Sequence, residues 1–149
     1  MLDQIDFQIL NILQENGRTK RNVLAENVGL SLPSLSERMK KLEERGLIEG
    51  YYAKLKKKGF GYDLAAFVTV VMDSSKNYPK LTENADKNPN ILECHSVLGE
   101  GSHILKVIVK NTEALEKLLA TIQSWPGVTR TITHFILSTS KETSKIFIE

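Results

Sequence analysis

One stretch of the chain decides the fold of its first half, and it runs Leu24-Ala25-Glu26-Asn27-Val28-Gly29-Leu30-Ser31-Leu32-Pro33-Ser34-Leu35-Ser36-Glu37-Arg38-Met39. A tight Gly29-Leu30-Ser31 break separates two amphipathic segments, and Ser31 is a good cap for the helix that follows it. Pro33 fits the first turn of that helix, where no intrahelical N–H bond is lost. The pattern predicts a helix-turn-helix, although a plain three-helix bundle with a charged surface remains the alternative.

The neighbouring segments complete a three-helix unit. We expect Asp3 to cap a first helix and Thr19 to cap the second, while Gly46 ends the third. The chain from Leu47 to Leu55 is rich in β-forming residues, which predicts a strand or a short wing. Apolar positions recur at helical spacing and should form the core of this unit: Ile5, Ile9, Ile12, Leu13, Leu24, Val28, Leu35, Met39 and Leu42.

The opposite face of the third helix is polar and basic. Between Ser31 and Lys58 the chain carries eight basic and four acidic residues, although the net charge of the whole chain is only +2. Serine, arginine and lysine can donate to phosphate oxygens or to guanine acceptors, and glutamate can accept from cytosine N4. The alternative is a solvated helix face. The predicted DNA-contacting residues are Ser31, Ser34, Ser36, Glu37, Arg38, Lys40 and Lys41.

The second half alternates between strand and helix patterns. The order of the predicted elements is β-α-β-β-α-β, the ferredoxin-like arrangement, so the fold class is α+β. The predicted strands are Leu64–Met72, Ile91–Leu98, His103–Val109 and Val128–Leu137, and the helices run from Tyr78 to about Lys87 and from a Thr112 cap to Trp125. The first strand is apolar on both faces, so we expect the sheet to pack on another copy of the chain.

These patterns divide the chain into three parts. Residues 1–55 form the winged helix-turn-helix domain, 56–62 a basic glycine-containing linker, and 63–149 the βαββαβ domain. No apolar run approaches the roughly 18 residues of a membrane span, and the acidic amino terminus does not resemble a signal peptide. The single cysteine, Cys94, excludes an internal disulfide framework. We therefore expect a cytoplasmic protein.

Neither a metal site nor a cofactor is expected. Cys94 and His95 are neighbours on a strand, so they point to opposite faces and cannot both bind one ion. His103 and His134 lie on separate strands and could approach each other, but no cysteine or carboxylate set at metal-ligand spacing accompanies them. The histidines are more simply explained as packed or surface residues.

Several stretches along the chain match one family in order. They are Leu2-Asp3-Gln4-Ile5-Asp6, Ile9 to Arg18, Leu24 to Ser31, Ser36 to Glu43, Gly46 to Tyr51, Glu93-Cys94-His95, Leu98-Gly99 and Pro126 to Thr131. Together they resemble the leucine-responsive/asparagine regulator (Lrp/AsnC, feast-famine) family of prokaryotic transcription factors. The resemblance covers almost the whole chain.

The resemblance implies a regulator of transcription that binds double-stranded DNA and forms homodimers, often assembled to octamers. It also implies a free amino acid bound at an interface between βαββαβ domains. In the family a Gly-Asp-x-Asp turn and a Thr-x-Thr pair help to form that site. By match, the effector-binding residues are Gly99, Glu100, Gly101, Ser102, Thr131 and Thr133. The turn departs from the pattern, since Glu100 and Ser102 stand where the family has aspartates.

Two alternatives to an effector-sensing regulator remain. Sirohaem decarboxylases resemble the same family, so the fold does not by itself exclude an enzyme. Such an enzyme needs basic groups around a tetrapyrrole, whereas Arg130 is the only arginine in the second half. An assembly module that does not bind DNA is disfavoured by the basic patch between Ser31 and Lys58. The favoured interpretation is a non-enzymatic regulator.

Overall fold

The computed structural model describes the whole chain, residues 1–149. The chain forms two compact units, of which the first contains Met1–Lys54 together with Lys141–Glu149 and the second contains Leu55–Ser140. We call them the helical unit and the sheet unit. The carboxy-terminal segment Lys141–Glu149 packs with the helical unit, whereas the sequence grouped it with the βαββαβ domain. Two hydrogen bonds between Gln14 and Ile146 hold this segment. The Gln14 Oε1 accepts from the Ile146 N–H at 2.7 Å, and the Gln14 Nε2 donates to the Ile146 carbonyl oxygen at 3.1 Å.

The helical unit contains three helices, α1 (Gln4–Glu15), α2 (Arg21–Asn27) and α3 (Leu32–Glu44). Their predicted core is confirmed, since Ile9, Leu24 and Leu35 are fully buried. Burial of such side chains contributes about 1.5–3 kcal/mol each, which outweighs the weak helical propensity of a segment as short as α2.

Two of the predicted helix starts are confirmed and one is wrong. Asp3 caps α1 in a reciprocal capping box with Asp6, and the Ser31 side chain caps α3. In contrast, α2 begins after Lys20 without a side-chain cap. Thr19 cannot serve as the cap because its hydroxyl donates to the carbonyl oxygen of Asn16, at 2.7 Å, within the preceding turn.

The segment after α3 contains no strand. Gly46 ends the helix with a φ of +68°, as expected, but Leu47 to Leu55 stays irregular. A strand needs a neighbouring backbone for its hydrogen bonds, and no other strand of the helical unit provides one. Of the two alternatives predicted for this segment, a strand or a short wing, the strand does not form in the single chain.

The sheet unit has the predicted βαββαβ order. Its elements are β1 (Leu64–Met72), α4 (Tyr78–Lys87), β2 (Ile91–Ser96), β3 (His103–Val109), α5 (Thr112–Gln123) and β4 (Val128–Phe135). The four strands are antiparallel in the order β2-β3-β1-β4, which confirms the ferredoxin-like arrangement. Two predicted strands were too long, and α5 is capped by Asn111 rather than Thr112.

The two faces of this sheet differ in their cover. On one face Val68 and Val70 are fully buried together with Leu81 of α4 and Ile122 of α5. On the other face, which we call the outer face, Phe67 keeps 40% of its surface exposed. Alternation along β1 places these two sets on opposite sides. The helices thus cover one face, and the outer face lacks a second layer in the single chain.

None of the helices is at once long enough and apolar enough to cross a lipid bilayer.

Candidate nucleic-acid interface and ligand-binding turn

Helix α3 is held by its apolar stripe, which leaves the remaining faces for polar contacts. Leu35, Met39 and Leu42 are buried. Ser31 is committed to the helix start, because its Oγ accepts from the N–H of Ser34 at 3.3 Å and donates to the Ser34 Oγ at 2.8 Å. Of the predicted DNA contacts, Ser31 and Ser34 thus have a role in shaping the amino-terminal turn of α3.

Arg38 clamps α3 to the amino end of α1. Its Nη1 donates to Asp3 Oδ2 at 2.7 Å and to Asp6 Oδ1 at 2.9 Å. These two hydrogen bonds raise the pKa of Arg38, and the bond to Asp3 has the larger effect. The pKa of Asp3 is lowered first by the hydrogen bond that its carboxylate accepts from the Asp6 N–H, and then by its bond to Arg38. The predicted DNA contact Arg38 therefore also has an internal, structural role.

Three other predicted contacts lie on the exposed face of α3. Lys41 contacts Glu37 at 2.7 Å, and Lys40 contacts Glu44 at 3.6 Å, both one helical turn apart. The hydrogen bond from Lys41 lowers the pKa of the Glu37 carboxyl. The side chains of Lys40 and Lys41 remain 73% and 65% exposed. Exposed pairs of this kind are worth about 0–1 kcal/mol, so both ammonium groups can exchange a carboxylate for a phosphate at little cost.

The remaining predicted contact, Ser36, has a partner outside α3 that was not among the predicted DNA contacts. Arg21, the first residue of α2, donates from Nη1 to the Ser36 Oγ at 3.3 Å. The signal for it was the basic run Arg18-Thr19-Lys20-Arg21 immediately before α2. In the segment after α3, the Tyr51 hydroxyl donates to the Glu43 carboxylate at 2.9 Å. Burial, and then this bond, raise the pKa of Tyr51 to about 12.

The turn Gly99–Ser102 lies against the end of β1. Gly101 has a φ of +81°, and a Cβ there would come within 2.6 Å of Thr69 Cγ2 and 2.8 Å of the Val70 carbonyl oxygen. The N–H of Ser102 donates to that same oxygen at 2.9 Å. Only glycine allows this approach, since the left-handed region and the missing space both exclude a side chain.

Ser102 is a structural residue of this turn. It is buried, and its Oγ lies 2.8 Å from His103 Nδ1. His103 is 3% exposed, packs edge-on against Tyr78 with 4.9 Å between ring centroids, and has its pKa lowered by burial. The predicted ligand-binding hydroxyl of Ser102 is therefore already used inside the fold.

Glu100 and the two threonines do not converge within one chain. Arg130 donates to Glu100 at 2.8 Å. Arg130 lies opposite Val71 on the outer face, whereas Thr131 and Thr133 lie opposite Val70 and Val68 on the helix-covered face. Thr131 there accepts from the Gln123 side chain of α5, at 3.0 Å. The structure confirms that Thr131 and Thr133 share one face of the sheet. Glu100, through its bond to Arg130, lies at the outer face instead.

The histidines and the cysteine show no convergence either. His103 pairs with Val70 and His134 with Phe67, so the two rings point to opposite faces. The approach that the sequence left open does not occur. Cys94 packs toward the core, which raises the pKa of its thiol, while the neighbouring His95 bonds Glu93 at 3.0 Å.

The chain matches two family models that together span most of its length. The model of the Lrp/AsnC ligand binding domain matches residues 65–146, and that of a winged helix-turn-helix DNA-binding domain matches residues 2–49. An HTH-type transcriptional regulator from Pyrococcus horikoshii is 34% identical over 148 residues, which are 99% of this chain and 97% of the relative.

Two solved structures are similar over the same extent. A transcriptional regulator from Neisseria meningitidis in complex with L-methionine superimposes with a TM-score of 0.91 at 31% identity, covering 98% of this chain and 96% of its own. The feast or famine regulatory protein from M. tuberculosis, complexed with L-methionine, gives a TM-score of 0.88 at 32% identity, with 98% and 99% covered. With both units matched in order over nearly its whole length, this chain belongs to the Lrp/AsnC family and is a transcriptional regulator with a helix-turn-helix DNA-binding domain and a ligand-binding domain.

Proposed function

We propose that this regulator contacts its operator with the exposed face of α3 and responds to a small amino-acid effector bound between subunits. The observation that carries the first part is the pair of exposed ammonium groups, Lys40 and Lys41, on a helix anchored by a buried stripe. A helix held in this way can enter the major groove without distortion, and its amino-terminal residues then face the base edges.

The residues of α3 divide by the contacts they can make. Lys40 and Lys41 are suited to phosphates, and Ser36 and Glu37 to base edges. Ser31 and Ser34 present the amino end of the helix, whose N–H groups favour a phosphate. Arg38 uses Nη1 for Asp3 and Asp6, so its remaining donors are the ones available to DNA.

Lys40→Ala tests the DNA interface directly. The duplex for this test comes from genomic fragments that the purified protein retains. Losing one phosphate contact should lower the slope of log affinity against log salt by about one unit. The melting temperature should not change, because Lys40 is highly exposed and its only ion pair is long. Lys117→Ala is the matched control, since Lys117 forms a similar one-turn pair with Glu113 on α5. A salt slope for Lys40→Ala equal to that of the control would contradict the interface.

The geometry of the turn supports an effector site between subunits. A single small ligand cannot reach Glu100 on the outer face and Thr131 on the helix-covered face of one sheet. The two groups can meet only if different copies of the chain contribute them. Both solved relatives named above contain L-methionine, so an amino acid with an apolar side chain is the first candidate.

Glu100 is suited to hold the ammonium group of that amino acid. Its pair with Arg130 is exposed on both sides, at 65% and 56%, so it can be rearranged at little cost. Arg130, once released, can take the ligand carboxylate. Gly99 has no atom within 4 Å of the position of its Cβ, so a ligand can approach the backbone of the turn there.

Titration calorimetry against the twenty amino acids tests the effector. We expect at least one to bind, and Glu100→Ala to weaken that binding without changing the fold. Glu83→Ala on α4 is the control, because it also removes an exposed, ion-paired carboxylate but lies on a helix and not on the outer face of the sheet. Binding by none of the twenty, or binding that Glu100→Ala leaves unchanged, removes Glu100 from the mechanism. A ligand that shifts DNA affinity must bind the two states of the regulator differently.

A further inference from the structure

Arg21 occupies a position beside the amino-terminal half of α3. It is the first residue of α2, and its guanidinium bridges to Ser36, the fifth residue of α3, at 3.3 Å. This half of a recognition helix is the part that contacts base edges in helix-turn-helix proteins. Arg21 is therefore next to the residues that determine sequence preference, although it does not belong to α3.

The bond from Arg21 constrains what Ser36 can recognise. A serine hydroxyl has one hydrogen and two lone pairs, so an unconstrained serine accepts or donates and distinguishes bases poorly. A guanidinium can only donate. The bond from Arg21 therefore occupies a lone pair of Ser36, and the positive charge turns the hydroxyl hydrogen away from Arg21. Ser36 then presents a donor to its surroundings.

The charge of Arg21 is also uncompensated. Arg38, Lys40 and Lys41 each have a carboxylate within ion-pair distance, whereas Arg21 has none. An unpaired guanidinium with four further N–H groups is well suited to bind phosphate.

We propose that Arg21 is a specificity-determining residue, which holds Ser36 as a hydrogen-bond donor to a base acceptor and binds the adjacent phosphate. The acceptors concerned are guanine O6 or N7, adenine N7, and thymine O4, so cytosine N4 is excluded. This inference rests on the proposed contact between α3 and operator DNA. It assigns Arg21 two separable effects, one on base preference and one on salt dependence.

Selection from a randomised duplex pool measures the first effect. The full-length wild type, Arg21→Ala, Ser36→Ala and the double variant each select from the same pool, and the bound duplexes are sequenced. We expect Arg21→Ala and Ser36→Ala to lose preference at the same base pair, on the order of tenfold. The double variant should lose no more than either single variant, because both disrupt one arrangement.

Salt titration on the duplex enriched by the wild type measures the second effect. Arg21→Ala should lower the salt slope by about one unit, while Ser36→Ala should leave it unchanged. Lys20→Ala is the matched control, because Lys20 is the neighbouring cation and forms no hydrogen bond with α3. It should leave every base preference intact. If the alanine variant does not fold, Arg21→Met keeps the apolar stem without the donors, and the same results are expected.

The outcomes distinguish failure of the role of Arg21 from failure of the proposed contact between α3 and DNA. If the wild type enriches no sequence, the proposed DNA contact by α3 fails. If the wild type enriches a motif that Arg21→Ala enriches equally, only the role of Arg21 fails. Loss at a different base pair from Ser36→Ala, or a double variant with additive losses, also overturns the coupling between Arg21 and Ser36.

Discussion

Gly101 shows at the scale of one residue why the turn before β3 has little freedom to vary. Its φ of +81° and its approach to Val70 leave no space for a Cβ. Gly61 has nearly the same φ, +79°, but no atom lies within 4 Å of the position of its Cβ. Replacing Gly61 by alanine would therefore cost backbone strain alone, whereas replacing Gly101 would cost both strain and a steric clash with β1.

We predict that Gly101→Ala lowers the free energy of unfolding by about 3 kcal/mol and Gly61→Ala by about 1 kcal/mol. A left-handed non-glycine residue costs roughly 1–2 kcal/mol, and overpacking adds about 1–3 kcal/mol more. Urea unfolding of both variants checks the difference. Equal losses would show that β1 yields to the added methyl group at no cost.

At the scale of elements, the contact between α1 and α3 depends on a charge clamp. Arg38→Ala removes both bonds to the amino end of α1. We predict a loss of about 1 kcal/mol in unfolding free energy, the upper range for partly exposed pairs. Lys41→Ala removes only an exposed pair on α3 itself and should change stability by less than about 0.5 kcal/mol. An equally small effect of Arg38→Ala would mean that the clamp is not needed for stability.

The same clamp predicts a pH dependence with a definite sign. The pKa of Asp3 lies below its ordinary value of 3.8 in the folded protein. A carboxyl of this kind stabilises the fold at any pH above its unfolded pKa, and the contribution is lost as the pH falls through the folded pKa. The stability difference between wild type and Asp3→Asn should therefore be constant at neutral and mildly acidic pH and shrink below about pH 3.8. Urea unfolding along a pH series measures it, and a difference that grows on acidification would contradict the assignment.

At the scale of the whole molecule, the outer face of the sheet is the surface proposed for dimerisation. Phe67→Asp places a charge in its middle, and burying an unpaired carboxylate is costly. We predict that sedimentation shows a dimer or larger assembly for the wild type and a monomer for Phe67→Asp. Phe135→Asp is the control, since Phe135 is similarly exposed, at 43%, but lies opposite Ala66 on the helix-covered face. The Phe135→Asp variant should remain a dimer. A monomeric wild type would refute the proposed dimer surface.

The proposed dimer would have a consequence for the operator. Two copies of α3 related by a two-fold axis contact half-sites about one helical turn apart, roughly 34–36 Å. Footprinting on the selected duplex should therefore show two protected half-sites for the wild type. Phe67→Asp should lose this cooperative pattern while keeping weak binding to a single half-site.

Local signals in the sequence predicted what depends on neighbouring residues. The caps Asp3 and Ser31, and the bounds of β1, follow from side chains within a few residues of each position. Because β1 is apolar on both faces, its sequence also predicted that the helices alone would not cover the sheet. The order of strands and helices followed from the succession of these patterns, because short connections leave few ways to arrange them.

The tertiary structure alone decided the contacts that join residues distant in sequence. Arg38 and Asp3 are 35 residues apart, Arg21 and Ser36 are 15 apart, and Gln14 and Ile146 are 132 apart. Periodicity places each of these side chains on a face of its own element, but it does not say which other element that face meets. Glu100 and Thr131 illustrate the reverse. The matched motifs grouped them, but the pleat of β4 puts Arg130, the partner of Glu100, and Thr131 on opposite sides of the sheet. Partners of this kind are determined by how the core packs, and that depends on all its apolar side chains at once.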